Sequence, residues 1–241
     1  MPVGLLESAM WGAIAASSLL LGAVLTAIRP WPRMLVGLVL AFGAGALIAS
    51  IAFELAEEGL STGGAVPVAI GLAIGAAAFF LADRGVQRLG ARDGRSGAGL
   101  PLAVGALLDG IPEQAVLGIG IATGEGVSAA LLIAIFVSNL PESLGSSADM
   151  LQARSPRRHV LLLWGGVAVA CMLATVVGTL VADAASAELQ AGIEGFAAGA
   201  LLVMLIDAMA PEARDKAKGW AGLATVLGFA LAAGLSLLSG G

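Results

Sequence analysis

The sequence predicts an all-α integral membrane protein in which eight transmembrane helices form a single domain over residues 1–241. Hydrophobic residues make up 59% of the chain and charged residues 12%, whereas soluble domains carry about 25% charged residues. Apolar stretches of about 20 residues, the length of one bilayer crossing, recur along the chain. With 35 glycines, 5% aromatic residues and no tyrosine, the composition favours closely packed helices over an aromatic-girdled β-barrel.

The apolar stretches follow one another with little chain between them. The N-terminal stretch has Glu7 rather than a basic leader just before the first span, so it is expected to be a span rather than a signal peptide. The one long connection, predicted at 84–99, is rich in glycine and arginine and is expected to be a cytoplasmic loop. The eight predicted spans are 8–28, 34–57, 64–82, 99–123, 126–150, 160–182, 192–212 and 219–238.

The basic residues predict how the helices are oriented. All 12 lysines and arginines follow the odd-numbered spans, and short cytoplasmic loops carry an excess of such residues. These connections are therefore expected in the cytoplasm and both termini outside it, in a membrane such as the bacterial inner membrane. The net charge of −5 gives no reason to expect a nucleic-acid partner. The basic residues are Arg29, Arg33, Arg84, Arg88, Arg92, Arg95, Arg154, Arg157, Arg158, Arg214, Lys216 and Lys218.

Five acidic residues within the predicted spans are candidates for function. They are Glu54 in span two, Asp109 and Glu113 in span four, Glu142 in span five and Asp207 in span seven. Inserting one acid at this depth costs about 2.5–3.5 kcal/mol, so such residues are rarely incidental. No lysine or arginine lies within a predicted span. The acids are therefore expected to be protonated, hydrated or bound to a cation.

Spans four and five share a pattern, because LLDGIPEQAVLG at 107–118 and VSNLPESLGSSAD at 137–149 both place Pro-Glu in the middle of a helix. Each proline blocks one helical hydrogen bond and frees a carbonyl oxygen, that of Leu108 for Pro112 and that of Val137 for Pro141. Residues four apart share a helical face. The polar residues that this pattern brings to mid-membrane are Asp109, Glu113, Ser138, Asn139 and Glu142.

These five residues predict a metal site built from oxygen atoms. Carboxylate, hydroxyl, amide and carbonyl oxygens can replace the hydration shell of a divalent cation. The alternative is that the prolines only kink the two helices while the acids stay neutral and pair with one another. That alternative does not require acids on both helices.

Four segments resemble the ZIP family of zinc and iron transporters. Residues 109–114 (DGIPEQ) and 138–143 (SNLPES) are similar to the family's fourth- and fifth-helix motifs, and residues 42–59 and 201–216 to its second and seventh helices. The resemblance implies eight helices, both termini outside and a cytoplasmic loop after the third helix. It adds Glu54, Glu58 and Asp207 to the expected metal pathway, and it implies a homodimer.

The motifs also depart from the family pattern. The two motif histidines are replaced by Asp109 and Ser138, and the bridging glutamate of the fifth helix by Asn139. Imidazole favours zinc and copper, whereas oxygen ligands suit magnesium, calcium and manganese. We therefore expect broad specificity, with zinc, iron, manganese, cobalt or cadmium as the transported ion.

The expected function is uptake of a divalent metal ion into the cytoplasm by alternating access. The metal is the substrate, no organic cofactor is expected, and the partners are the lipid bilayer and a second copy of the chain. No enzymatic activity is expected, because no nucleophile–base pair can be assembled from the spans. Two alternatives stay open: a proton-coupled or other ion carrier that uses the acids as a relay, and a family member that binds metal without transporting it.

Overall fold

The computed structural model describes residues 4–93, 99–123, 129–182 and 186–239, and over these ranges the chain is helical without any strand. The predicted all-α class is thus confirmed for the described residues. Most helices begin or end a few residues beyond the predicted spans. They are α1 Leu5–Ile28, α2 Arg33–Ser50, α3 Glu57–Thr62, α4 Ala65–Asp93, α5 Gly99–Thr123, α6 Ala129–Gln152, α7 Arg157–Val181, α8 Ala187–Met204, α9 Ala210–Ala217 and α10 Ala221–Ser239.

Two π-helical segments join shorter helices into continuous rods. Ile51–Ala56 connects α2 to α3, and Leu205–Met209 connects α8 to α9. The backbone of Glu54 lies in the first segment and that of Asp207 in the second. π-Helical turns are rare in proteins, and those that occur are often found at functional sites. Two of the predicted pathway acids therefore occupy an unusual backbone conformation.

Six helical stretches among the described residues are long and apolar enough to cross a membrane. One of them, Ala187–Ser236, has 50 residues and includes α8, α9 and α10, which is more than twice the length of one crossing. Helix α6 is not among the six. The structure therefore has the helices of a multi-pass membrane protein, and the count of eight crossings stays a prediction.

The prediction of a loop at 84–99 is wrong for residues 84–93, because α4 continues as a helix through Asp93. The segment holds arginine, glutamine and leucine, which are good helix formers. The guanidinium group of Arg84 lies over the ring of Phe80, 4.0 Å from its centre, within the same helix. Residues 94–98 of the predicted loop lie outside the described residues.

Small residues bring three pairs of helices into backbone contact. Between α4 and α8, a Cβ atom added at Gly75 would lie 1.9 Å from the carbonyl oxygen of Phe196, and one at Gly199 would lie 2.1 Å from that of Leu72. At such distances only the hydrogen atom of a glycine fits between the two helices, as expected where helices pack through small residues. The same reciprocal contact joins α2 to α10 through Gly45 and Gly228, and α5 to α7 through Gly118 and Gly178.

The packing divides the helices into two groups. Helices α1, α5, α6 and α7 pack on one another around the fully buried Trp164. Helices α2, α3, α4, α8, α9 and α10 form the other group, with Leu47, Phe79 and Met204 in its core. The groups meet where α6 lies against α2 and α5 lies against α8. The fourth and fifth predicted spans are thus packed with the first and sixth.

Candidate cation site

The C-terminal half of helix α6 is buried on all sides but has a polar sequence. Every residue from Pro141 to Met150 is buried, and α6 contacts α1, α2, α5 and α10. A helix with no exposed side is normally apolar all round. Buried polar residues of α6 instead extend from mid-helix towards its C-terminal end, and they are Ser138, Asn139, Glu142, Ser143, Ser146, Ser147 and Asp149.

Glu142 and Asn139 are buried, and their side chains make no hydrogen bond to the described residues. Glu142 is 0% exposed and Asn139 1% exposed. Within the described part of the chain, neither carboxylate oxygen of Glu142 and neither amide atom of Asn139 has a hydrogen-bond partner. A buried polar group left in this state costs about 1–3 kcal/mol, and a charged one more. This cost would be offset by a bound ligand that these atoms contact.

Glu113 reaches the same region from α5. Its side chain is 6% exposed, and its carboxyl group is near enough to that of Glu142 for the two charges to repel each other. Two negative charges in one apolar site require a proton or a cation to neutralise them. The structure therefore brings together the two glutamates of the paired motifs.

The residues next to these glutamates in the sequence make contacts of their own. Pro112 and Pro141 lie inside α5 and α6, as predicted. The buried Ser138 hydroxyl donates a hydrogen bond to the carbonyl of Ile135 at 3.1 Å. The side chain of Gln114 accepts a hydrogen bond from Thr175 of α7 at 2.5 Å, while its Nε2 has no partner among the described residues. Gln114 is a member of the motif that we did not predict as a site residue.

The other predicted site residues are either exposed or have side chains that the structure does not describe. The side chains of Asp109 and Glu54 lie outside the described residues. Asp207 and Glu58 are exposed, in contrast to the buried glutamates. Among the described side chains, no three histidine, cysteine, aspartate or glutamate residues are grouped as a metal site. The role of Asp109 in the site thus stays a prediction.

A buried ion-pair cluster at the C-terminal end of α6 was missed by the sequence analysis. Lys216, which is 8% exposed, pairs with Asp149 of α6 and with Glu212 of α9, the latter at 2.5 Å. The sequence analysis placed Lys216 in a cytoplasmic connection and did not consider Asp149 among the acids within the spans. The spacing of Glu212 and Lys216, one helical turn apart, could have indicated the pair between these two residues.

A second buried acid, Glu194 of α8, was also missed. It falls within the predicted span 192–212, and its side chain is 1% exposed. Its position inside an apolar run was the signal that could have found it.

No protein-family model matches the chain, and no curated protein matches it in sequence. The resemblance to the ZIP family therefore rests on the motifs quoted above. The buried polar groups of α5 and α6 are the main evidence on what the protein does.

Proposed function

We propose that this protein is a membrane transporter that carries a divalent metal ion, in the manner of the ZIP family that it resembles. The observation that carries the proposal is the state of Glu142. Its carboxyl group is completely buried, has no hydrogen-bond or ion-pair partner among the described residues, and lies near Glu113 on the neighbouring helix. A bound cation would neutralise both charges at once.

The chemistry of the surrounding groups favours a divalent ion. Two carboxylates match its charge, and Asn139 adds a neutral oxygen that has no partner among the described residues. Hard and borderline divalent cations take such oxygen ligands. With two carboxylates and neutral oxygens, the site is better suited to a divalent cation than to an anion.

The depth of the site favours transport over binding at a surface. Helix α6 has 24 residues, or roughly 36 Å, and Glu142 lies roughly 20 Å from its beginning. An ion held there is near the middle of a bilayer about 30 Å thick. It has to be released on one side of the membrane or the other, which is the task of a transporter.

The packing suggests which helices move. Backbone contacts through glycine pairs occur within each helix group, in the α5–α7, α4–α8 and α2–α10 pairs. Between the groups, α6 contacts α2 through side chains: a Cβ atom at Gly43 would meet the ring of Pro141, and one at Gly145 would meet Leu40. We infer that α1, α5, α6 and α7 move together against the other helices and expose the glutamates alternately to each side.

The proposal includes eight crossings with both termini outside the cytoplasm, in an inner membrane, and a homodimer as the family resemblance implies. Cysteines introduced at Ala153 and Ser61, both exposed positions, should react with an impermeant reagent from opposite sides, Ala153→Cys from the cytoplasm. The native Cys171 is buried, so its background labelling should be low. Reaction of both positions from the same side would contradict this topology.

The test of function is metal uptake by the purified protein in proteoliposomes, measured for Zn, Mn, Fe, Co, Cd and Mg in parallel. Glu142→Gln and Glu113→Gln should each reduce uptake to background, because each removes a charge while nearly preserving volume. Glu188→Gln, at an exposed position on α8, is the matched control and should transport normally. Normal uptake by Glu142→Gln would overturn the proposal.

The same experiment separates the alternatives. Proton flux without metal flux would indicate a proton carrier that uses the acids as a relay. Stoichiometric metal binding with no flux of any tested ion would indicate a metal-binding protein that does not transport.

A further inference from the structure

In the proposed topology, the half of the protein that faces away from the cytoplasm contains another buried carboxylate besides those of Glu113 and Glu142. It belongs to Glu194 of α8 and lies at the contact between α8 and α3. Its side chain is 1% exposed. Oε1 accepts a hydrogen bond from Nε2 of Gln190 at 3.2 Å, whereas Oε2 has no partner among the described residues. One oxygen of a buried carboxylate is therefore held in place, and the other is left for a ligand.

Oε2 of Glu194 lies beside a glycine of the neighbouring helix α3. Gly59 of α3 faces it, and a Cβ atom at Gly59 would lie 2.9 Å from Oε2. The backbone carbonyl of Ala191 is also near this position, 3.6 Å from the same Cβ atom. Glycine at position 59 thus adds no side chain beside the carboxylate, and the nearest apolar group to this position is Cγ2 of Val68, 2.9 Å from the same Cβ atom.

A second negative charge lies close to Glu194. Glu58, the residue before Gly59, is exposed, and its charge acts on the Glu194 carboxyl group. No positive side chain forms an ion pair with Glu194 in the described part of the chain. The repulsion between the buried carboxyl group and this exposed one is relieved by a proton on Glu194 or by a cation bound to both.

We propose that Glu194 and Glu58 form a second site, for one divalent cation, between α3 and α8. Glu194 would be the buried ligand and Glu58 the ligand at the surface, with the Ala191 carbonyl as a neutral oxygen. This inference rests on the proposed function, because the site would receive ions at the outer end of the protein before they reach Glu113 and Glu142. Glu58 is in this way the member of the predicted pathway that first meets the ion.

The test is Mn²⁺ binding to the full-length purified protein in detergent, measured from the electron paramagnetic resonance signal of the free ion. In a Glu142→Gln background, which removes a charge from the mid-membrane site, about one equivalent of Mn²⁺ should still bind. Adding Glu194→Gln should weaken this binding at least about tenfold, or about 1.4 kcal/mol. Adding Glu188→Gln, an exposed acid of the same helix, should leave it unchanged.

Two further variants keep the test valid if Glu194→Gln does not fold. Glu58→Gln changes an exposed side chain and should also weaken the remaining Mn²⁺ binding. Gly59→Ala retains both acids but places a methyl group beside Oε2, and it should weaken binding as well. Binding that is unaffected by all three changes would overturn the second site.

The outcomes separate this inference from the proposed function. If Glu142→Gln alone abolishes both Mn²⁺ binding and uptake, the second site is wrong while the transporter proposal stands. If Mn²⁺ binding depends on Glu194 but the parent protein transports no metal, the second site stands and the transporter proposal fails. Proton uptake at Glu194 without Mn²⁺ binding would also overturn the second site.

Discussion

Glu142 and Asp149 are two buried acids on α6, two helical turns apart, whose charges are balanced in different ways. Asp149 forms an ion pair with Lys216, which also binds Glu212. Glu142 lies near another acid, Glu113, and has no partner of opposite charge among the described residues. A buried charge with a protein partner is part of the fold, whereas one without a partner leaves room for a ligand. The comparison separates a structural charge from a functional one on the same helix.

Loss of the partner of Asp149 should give the largest change in stability. Lys216→Met should lower the free energy of unfolding by about 3–5 kcal/mol, because it leaves buried acids unpaired. Arg33→Met is the matched control: it breaks the exposed pair with Asp215, in which the side chains are 63% and 69% exposed, and should cost less than about 1 kcal/mol. Denaturant unfolding in detergent measures both. Equal effects would contradict a structural role for the buried cluster.

The glycine contacts between α4 and α8 give a reference in which stability depends on packing alone, because they are made by glycines and backbone atoms and involve no charged side chain. Gly75→Ala should lower the free energy of unfolding by about 1–3 kcal/mol, because the new methyl group would overlap the carbonyl oxygen of Phe196. Gly166→Ala places the same methyl group in open space on α7 and should stabilise the protein by up to about 1 kcal/mol. The two variants, compared by the same unfolding measurement, separate overlap from helix propensity. A neutral Gly75→Ala would show that the helices can move apart at this contact.

The metal preference should change if nitrogen ligands are added beside the unpaired charge. Asp109→His together with Ser138→His should raise the selectivity for zinc over manganese about tenfold, or about 1.4 kcal/mol, because imidazole favours zinc. Competition between the two ions in proteoliposome uptake measures the change. Asp109→Asn with Ser138→Asn is the control without imidazole. If the parent already prefers zinc as strongly as the histidine variant, the oxygen-ligand argument is wrong.

Glu142→Gln should have the smallest effect on stability although it abolishes transport. The free energy of unfolding should change by less than about 1 kcal/mol, because the variant keeps the volume and removes a charge that has no protein partner among the described residues. Asp149→Asn, the matched change two turns away, weakens the ion pair with Lys216 and should cost more. The ratio of the two effects is the direct test of the comparison. A loss of several kcal/mol in Glu142→Gln would mean that Glu142 is structural.

The helical class and the central pair of glutamates could be predicted from the sequence because both follow from local patterns. Apolar runs of bilayer length predict helices, and the two Pro-Glu motifs predict acids in the middle of α5 and α6. The extent of α4 was not predicted, because glycine and arginine in 84–93 were interpreted as a loop although the segment is helical. Local composition is a weak guide where a helix extends beyond its apolar part.

The sequence by itself determined which residues are apolar, which acids lie within apolar runs, and where the paired motifs fall. Only the tertiary structure decided which acids have partners. Lys216 reaches Asp149 from a position 67 residues away in the chain, and Gly59 faces Glu194 from another helix. Periodicity places a residue on a face of its own helix, but the charges and backbone atoms opposite that face depend on how the helices pack. For this reason Glu142 and Asp149, both acids in one predicted span, differ in their surroundings in the folded protein.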